Sequence, residues 1–302
     1  MITPVVLAGP TASGKSDIAI QIGERSNGHI ICGDSRQLYA GMQIGAAAPS
    51  PAQTRQVKHM GFGVRAPEDG QDAQGFITDT DALISRCTAE GKQPIVVGGA
   101  GLYLRSLRYG LSDVPQGDPQ IRARLKEELH SFGLQHMHER LVQVDPKGAQ
   151  SIHPNDPVRI IRALELHAIT GKAPSEMRTT HGSQDVRIHC HWILLQVDMS
   201  WLSERLQNRV RLMFDAGLVE EAIALRDRLG SSHHLLETMG YKEALLLHDG
   251  ELSKEEAVTQ TYRRHRQYAR RQRTWFQKED WWQRFDASNP TVAEEIADFL
   301  NI

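Results

Sequence analysis

Residues 5–16 read Val5-Val6-Leu7-Ala8-Gly9-Pro10-Thr11-Ala12-Ser13-Gly14-Lys15-Ser16. The apolar run at 5–8 predicts a buried strand. Residues 9–16 fit the phosphate-loop pattern G-x-x-x-x-G-K-[ST]. Apolar residues then recur at Ile18, Ala19 and Ile22, a helical spacing. Strand, glycine loop and helix in that order turn the pattern into a physical site. Gly9 and Gly14 are expected to let the backbone turn with no Cβ in the way, so that its N–H groups face an anion. A helix beginning near Lys15 adds its positive end. Lys15 supplies a full charge, and the Ser16 hydroxyl is a candidate Mg²⁺ ligand. The pattern calls for a di- or triphosphate and leaves open whether phosphate is transferred, hydrolysed or released.

At 302 residues the chain has room for one large domain plus an insertion. Charged residues make up 24% and the net charge is -2, so the average carries no nucleic-acid signature. Cys32, Cys87 and Cys190 are far apart with no C-x-x-C pair, which argues against a disulfide framework or a cysteine zinc site. No run is long enough to span a membrane, and a cytoplasmic protein is expected.

Working outward, residues 29–32 predict a second strand ending in Gly33-Asp34-Ser35-Arg36-Gln37. Ligands of open α/β sheets sit at the carboxyl ends of strands, so Asp34 is placed to act beside the phosphate. Residues 40–75 read as loop, broken by glycines and prolines. A helix is expected over 76–90 and a buried strand over 94–97. That strand meets a second glycine turn at Gly98-Gly99-Ala100-Gly101, followed by helix.

From 111 to about 187 strand-like runs vanish. Amphipathic helices are expected over 121–129 and 137–144. A third is expected over 158–170, capped by Asp156 with Pro157 at its first position and stopped at Gly171. The fold class is therefore α/β: a phosphate-loop core, residues 1–112 and 186–302, with a helical insertion at 113–185. A strand over 188–197 returns to the sheet. Residues 201–229 read as helix interrupted at Gly217, with Arg205 and Arg209 beside its apolar stripe, suited equally to a partly buried anion or to surface salt bridges. Residues 261–276, TYRRHRQYARRQRTWF, carry six arginines interleaved with Tyr262, Tyr268, Trp275 and Phe276 and no acid, a combination suited to phosphate backbones and stacked bases. Trp281 and Trp282 are expected to pack.

Eight segments in one order resemble the tRNA dimethylallyltransferase family: GPTASGKS at 9–16, GDSRQLYAGMQIG at 33–45, VGGAGLYL at 97–104, NDPVRIIRALE at 155–165, RLQNRVRLM at 205–213, GLVEE at 217–221, MGYKE at 239–243 and RQYARRQRTWF at 266–276. The resemblance covers nearly the whole chain. It implies transfer of a dimethylallyl group from dimethylallyl diphosphate to N6 of adenosine 37 in tRNA, releasing diphosphate. It implies that Gly9, Thr11, Ala12, Ser13, Gly14, Lys15 and Ser16 hold the diphosphate, with Mg²⁺ at Ser16. Asp34 is then the general base, with Lys15, Arg205 and Arg209 stabilising the leaving group. Asp34, Ser35, Arg36, Gln37, Ala100, Arg122, Val158, Arg159, Ile160, Ile161 and Arg162 would face tRNA, and the insertion would grasp the anticodon stem-loop. A monomer is expected. The chain departs from the family at Ala100, where threonine is usual, at Ala46-Ala47-Ala48, usually Thr-Ala-Lys, at residues 58–62, and at Met199, usually arginine.

The chemistry agrees with these residues. Amides, Lys15, Mg²⁺ and arginines can take up charge developing on diphosphate, Asp34 can accept a proton, and the target base must leave its stack. Three rivals share the first loop: a small-molecule kinase, an isopentenyltransferase acting on adenine nucleotides, and a non-enzymatic RNA-binding protein. A kinase needs an apolar strand ending in a second Mg²⁺-holding Asp, which is hard to find in the sequence.

Overall fold

The computed structural model describes residues 2–111, 115–177 and 185–302. Contacts divide the chain into two compact units, Met1–Arg108 with Arg187–Ile302, and Tyr109–Val186. The boundary expected between residues 112 and 113 lies outside the described residues.

The first unit is built on β1 (Val5–Ala8), β2 (Gly28–Cys32), β3 (His59–Met60), β4 (Gln93–Gly98), β5 (His191–Gln196) and β6 (Gln283–Asp286), all parallel in the order β3-β2-β4-β1-β5-β6. Its helices before the second unit are α1 (Lys15–Arg25), α2 (Pro51–Gln56), α3 (Ala73–Ala89) and α4 (Gly101–Tyr109). The second unit holds α5 (Pro119–Val144), α6 (Pro146–Ser151), α7 (Pro157–Thr170) and α8 (Pro174–Met177). The first unit resumes with α9 (Met199–Asp215), α10 (Leu218–Leu229), α11 (Tyr241–His248), α12 (Lys254–Gln277) and α13 (Val292–Leu300).

The period of two explains the apolar run of β1. Val5 and Leu7 join the cluster with Ile18, Ile22, Leu202 and Ile296, while Val6 and Ala8 join the one with Phe76, Leu104, Phe276 and Trp282. Both faces are covered, as a parallel sheet requires. A third cluster, around Met42, Val210, Leu218 and Tyr241, packs α9, α10 and α11 beside the loop that follows β2.

Several elements differ from the sequence expectation. Residues 40–75 contain α2 and β3 rather than loop alone. α2 has Pro51 at its first position and a reciprocal capping box between Ser50 and Gln53. α3 begins at Ala73, earlier than expected, because Asp72 accepts the Gly75 N–H and caps it there. β5 is shorter than 188–197. α9 begins at Met199, two residues earlier than expected, while Gly217 with φ 101° separates it from α10 at the interruption read in the sequence. β6 and α13 carried no prior expectation.

In the second unit the two helices expected at 121–129 and 137–144 are halves of α5, broken at Gly133 with φ 82° and ψ 171°. α7 starts as read: the Asp156 side chain accepts the Arg159 N–H, Pro157 is the first residue, and Gly171 closes the helix at φ 68°. Leu125, Met137, Leu141, Ile160 and Leu164 form this unit's own core.

Candidate active site

β1 delivers the chain into the glycine loop at the carboxyl edge of the sheet. Gly14 adopts φ 85° immediately before α1. Ala12 is also left-handed, at φ 64°, a task the sequence reading had given to glycine alone. Gly9 serves by close approach: a Cβ there would lie 3.0 Å from Ser13 Oγ and 3.1 Å from the Leu195 carbonyl oxygen. Ser13 is 1% exposed, so its hydroxyl is sealed from any ligand. Ser16 is exposed beside it. Lys15 Nζ donates to the Pro10 carbonyl at 2.8 Å. Burial pulls the Lys15 ammonium down to about 8; Asp34 opposes that pull and Arg209 adds to it.

Asp34 stands two residues past β2, and its Oδ1 accepts the Arg36 N–H at 2.8 Å and the Gln37 N–H at 3.4 Å. Gln37 Nε2 in turn donates to the carbonyls of Ala46 and Ala47 at 3.0 and 2.8 Å. The ends of β2 and β4 touch: a Cβ on Gly98 would sit 1.8 Å from the Gly33 carbonyl oxygen. This contact requires glycine at 98 and places Asp34 on the same edge as the phosphate loop.

The result is a cleft of about 880 Å³. Thr11, Ala12, Gly14, Lys15, Ser16, Asp34, Ser35, Arg36, Gln37, Arg205 and Arg209 all line it. Ala100 does not; its carbonyl accepts the Leu104 N–H at the start of α4. Arg205 Nε donates to the Ala12 carbonyl at 3.1 Å, and its guanidinium lies 4.5 Å from the Trp201 ring. Arg209 is sunk deeper, with Nε buried and unpartnered. Its burial lowers its hold on a proton, and Asp34 restores part of it. Neither arginine is ion-paired among the described residues. Lys15 and Arg209, both half-buried, share the cleft with Asp34; Asp17 and Glu237 also line it, but with Arg36, Arg205, Arg264 and Arg271 the cations outnumber the acids, an electrostatic setting for a multiply charged anion.

His265 and Gln272 are among the cleft residues that escaped the sequence reading. His265, 4% exposed, lines the cleft with both ring nitrogens unpartnered; burial, then Arg209 and Arg264, push it down to about 3, so it is neutral. Gln272 is buried on the same helix face and hydrogen-bonds the phosphate loop. Its only signal was its place at helical spacing among the apolar residues of α12.

Of the six arginines at 263–273, Arg264 alone is ion-paired among the described residues, to Glu243 at 2.6 Å. Arg263, Arg270 and Arg271 are exposed, free to meet a polyanion. The aromatic half of the expectation needs correction. Phe276 is 1% exposed, packed in the core on Trp282, and cannot stack on a base. Tyr268 lines the cleft, with the Arg271 guanidinium 5.7 Å from its ring. Trp281 and Trp282 pack on Trp192, as expected of them.

In the second unit Val158 is 76% exposed and Arg159 is exposed beside it. Ile160 and Ile161 are buried, because the helical period turns them toward Leu125 and Leu141. Their side chains cannot face RNA, which corrects the expectation for them. Arg122 and Arg162 both bind the wholly buried carboxylate of Glu165, at 2.8 and 2.6 Å. Arg162 also donates to the Pro115 carbonyl. Burial pushes Glu165 up, but these two hydrogen bonds outweigh it and hold the carboxyl below its usual range.

An acid does follow β5, next to β1, at Asp198. It lines a separate cavity of about 250 Å³ with Pro10, Arg273 and Asp286, not the cleft that holds Lys15 and Ser16. Among the described residues no group of three His, Cys, Asp or Glu side chains could cage a metal, and no helix is long and apolar enough to cross a membrane.

Residues 37–279 match the family described as IPP transferase. The chain is 39% identical to tRNA dimethylallyltransferase 2 of Geotalea uraniireducens (strain Rf4), over 98% of this chain and 96% of that one. It is 42% identical to the tRNA dimethylallyltransferase of Anaeromyxobacter sp. (strain Fw109-5), over 91% of each. Among solved structures, the full-length tRNA isopentenylpyrophosphate transferase of Bacillus halodurans superposes with a TM-score of 0.72 at 32% identity, covering 100% of this chain and 96% of its own. A eukaryotic dimethylallyltransferase captured acting on tRNA superposes with a TM-score of 0.78 at 28% identity, over 99% of this chain and 79% of its own.

Proposed function

The chain belongs to the IPP transferase family and is a tRNA prenyltransferase, and we propose that the group it transfers is dimethylallyl, taken from dimethylallyl diphosphate and delivered to N6 of adenosine 37. One observation carries the donor half of this reading. Lys15 and Arg209 are half-buried cations with no ion pair among the described residues, in the cleft that also contains Asp34. A diphosphate supplies the missing negative charge, and Asp34 remains to act on an uncharged amine.

In this proposal the adenine N6 attacks the allylic carbon. The new C–N bond forms as the C–O bond to diphosphate breaks, and the electron pair leaves with the diphosphate. Lys15, Arg209, Arg205 and the loop amides stabilise that developing charge. Asp34 takes the proton that N6 loses. The Asp34 carboxylate already spends Oδ1 on two backbone N–H groups, which leaves Oδ2 for the amine.

Mg²⁺ suits the donor set, since Ser16 is exposed in the cleft next to the loop and this ion prefers phosphate oxygens and water to an all-protein cage. When bound, it adds Lewis-acid neutralisation of the diphosphate. The exposed arginines of α12, with Val158 and Arg159 of the helical insertion, are proposed to engage the tRNA. A cytoplasmic monomer completes the reading, and light scattering on the purified chain checks the oligomeric state.

The test incubates the protein with labelled dimethylallyl diphosphate and unmodified tRNA, beside AMP and ATP. Label should enter tRNA alone. Label in AMP, or phosphate moving from ATP, overturns the proposal.

A further inference from the structure

We infer that Gln272 is a positioning residue that sets the Lys15 ammonium through a single peptide plane, an assignment that rests on the reading of the loop as the diphosphate site. Gln272 lies on α12, 6% exposed. Its Oε1 accepts the Thr11 N–H at 2.8 Å. The carbonyl of that same peptide unit belongs to Pro10, and it accepts Lys15 Nζ at 2.8 Å. Since a trans peptide is planar and holds its N–H and C=O antiparallel, fixing one end fixes the other. The relay therefore runs from Gln272 Oε1 to the Thr11 N–H, across the plane to the Pro10 oxygen, and on to the ammonium.

The other half of the Gln272 amide is also committed. Nε2 donates to the Gly99 carbonyl at 2.9 Å. Exchanging the amide's oxygen and nitrogen would set donor against donor at Thr11 and acceptor against acceptor at Gly99, so the rotamer is unique. Gly99 is shaped to admit this amide: a Cβ there would lie 2.4 Å from Nε2 and 3.1 Å from the Gly9 carbonyl oxygen. Gln272 thus ties the phosphate loop and the second glycine turn to one helix. Lys15 needs such a guide, because its side chain has four rotatable bonds and stands half-buried at the edge of the cleft.

The experiment uses the full chain with inorganic pyrophosphate as probe, followed by steady-state kinetics with both substrates. Gln272→Met removes the hydrogen bonds to Thr11 and Gly99, with the contact to the Tyr268 side chain, at nearly constant volume. Pyrophosphate should bind roughly tenfold more weakly, the loss typical of one buried hydrogen bond. KM for the prenyl diphosphate should rise by a similar factor while KM for tRNA stays put. On a Lys15→Met background, where the ammonium is already gone, Q272M should weaken pyrophosphate binding no further. Additive losses in the double variant, or donor and tRNA parameters moving together, would mean a packing role and overturn the assignment. Wild-type protein that binds pyrophosphate no better than Q272M overturns it as well. Wild-type protein that binds no pyrophosphate at all overturns the diphosphate reading itself. Should Q272M not fold, exchange of the Thr11 amide in wild type decides: slow exchange supports the bond to Gln272, and exchange at the rate of an open loop refutes it.

Discussion

The Tyr241 hydroxyl donates to Glu221 Oε1 at 2.6 Å, and the same carboxylate accepts the backbone N–H groups of Gln43, Ile44 and Gly45 at 2.9–3.0 Å. A carboxylate from α10 thereby anchors the segment whose next residues, 45–48, line the cleft. The Tyr241 ring presses on Gly45 so closely that a Cβ there would lie 2.3 Å from it. Glu221→Ala strips a partner from three amides at once and should cost about 3 kcal/mol in urea unfolding. Tyr241→Phe, which removes one bond and keeps the packing, should cost about 1 kcal/mol. Equal losses in the two variants would show that the amide nest contributes nothing beyond the tyrosine.

Lys15 carries a pH prediction. Its ammonium is half lost at about pH 8 in the free protein, so pyrophosphate affinity measured by calorimetry should fall above pH 8. The K15M variant should lack that fall. The effect on stability has the opposite sense. The folded state holds this proton less tightly than the unfolded chain, for which the ordinary value is 10.5. The destabilisation is complete below pH 8 and is relieved as pH rises toward 10.5. Wild type should therefore gain on K15M over that window in chemical denaturation.

Asp34→Asn keeps an oxygen that can accept the Arg36 N–H and removes the proton acceptor. It should lower kcat by two to four orders of magnitude, about the range of general-base catalysis, with tRNA affinity by filter binding within about twofold. Turnover that survives the change would remove Asp34 from that role.

The exposed arginines of α12 that carry no ion pair among the described residues predict a salt signature. Arg263→Gln and Arg270→Gln should each weaken tRNA binding and reduce the slope of log affinity against log salt by about 0.7–0.9. Arg264→Gln should instead show its loss in thermal stability, because its guanidinium is spent on Glu243.

What was legible in the sequence was local. The 9–16 pattern gave away the loop because glycine, lysine and serine act there within one turn of chain. Asp156-Pro157 gave away the start of α7 for the same reason. Arg205 and Arg209 could be found but not assigned, since salt bridges depend on partners the helix does not contain. Long-range pairs left no trace: Gln272 meets Thr11 across 261 residues, and Glu221 meets Gly45 across 176. Glu221 and Tyr241 had both been quoted inside motifs, yet nothing in either motif announces the other. Ala12 in the left-handed region misled because alanine seldom goes there. Phe276 misled because an aromatic that fills a core reads, in one dimension, like one that stacks on a base.

The strand order has a last consequence. β4 separates β1 from β2, so the loop after β1 and Asp34 after β2 stand two strand spacings apart, roughly 9.5 Å. Gly98 keeps that interval tight, because its neighbour Gly33 leaves no room for even a methyl group. On the proposed reading, the sheet sets the reach from a diphosphate in the loop to the carboxylate. On that reading a donor anchored by its head in the loop meets the base because one strand, and no more, stands between them.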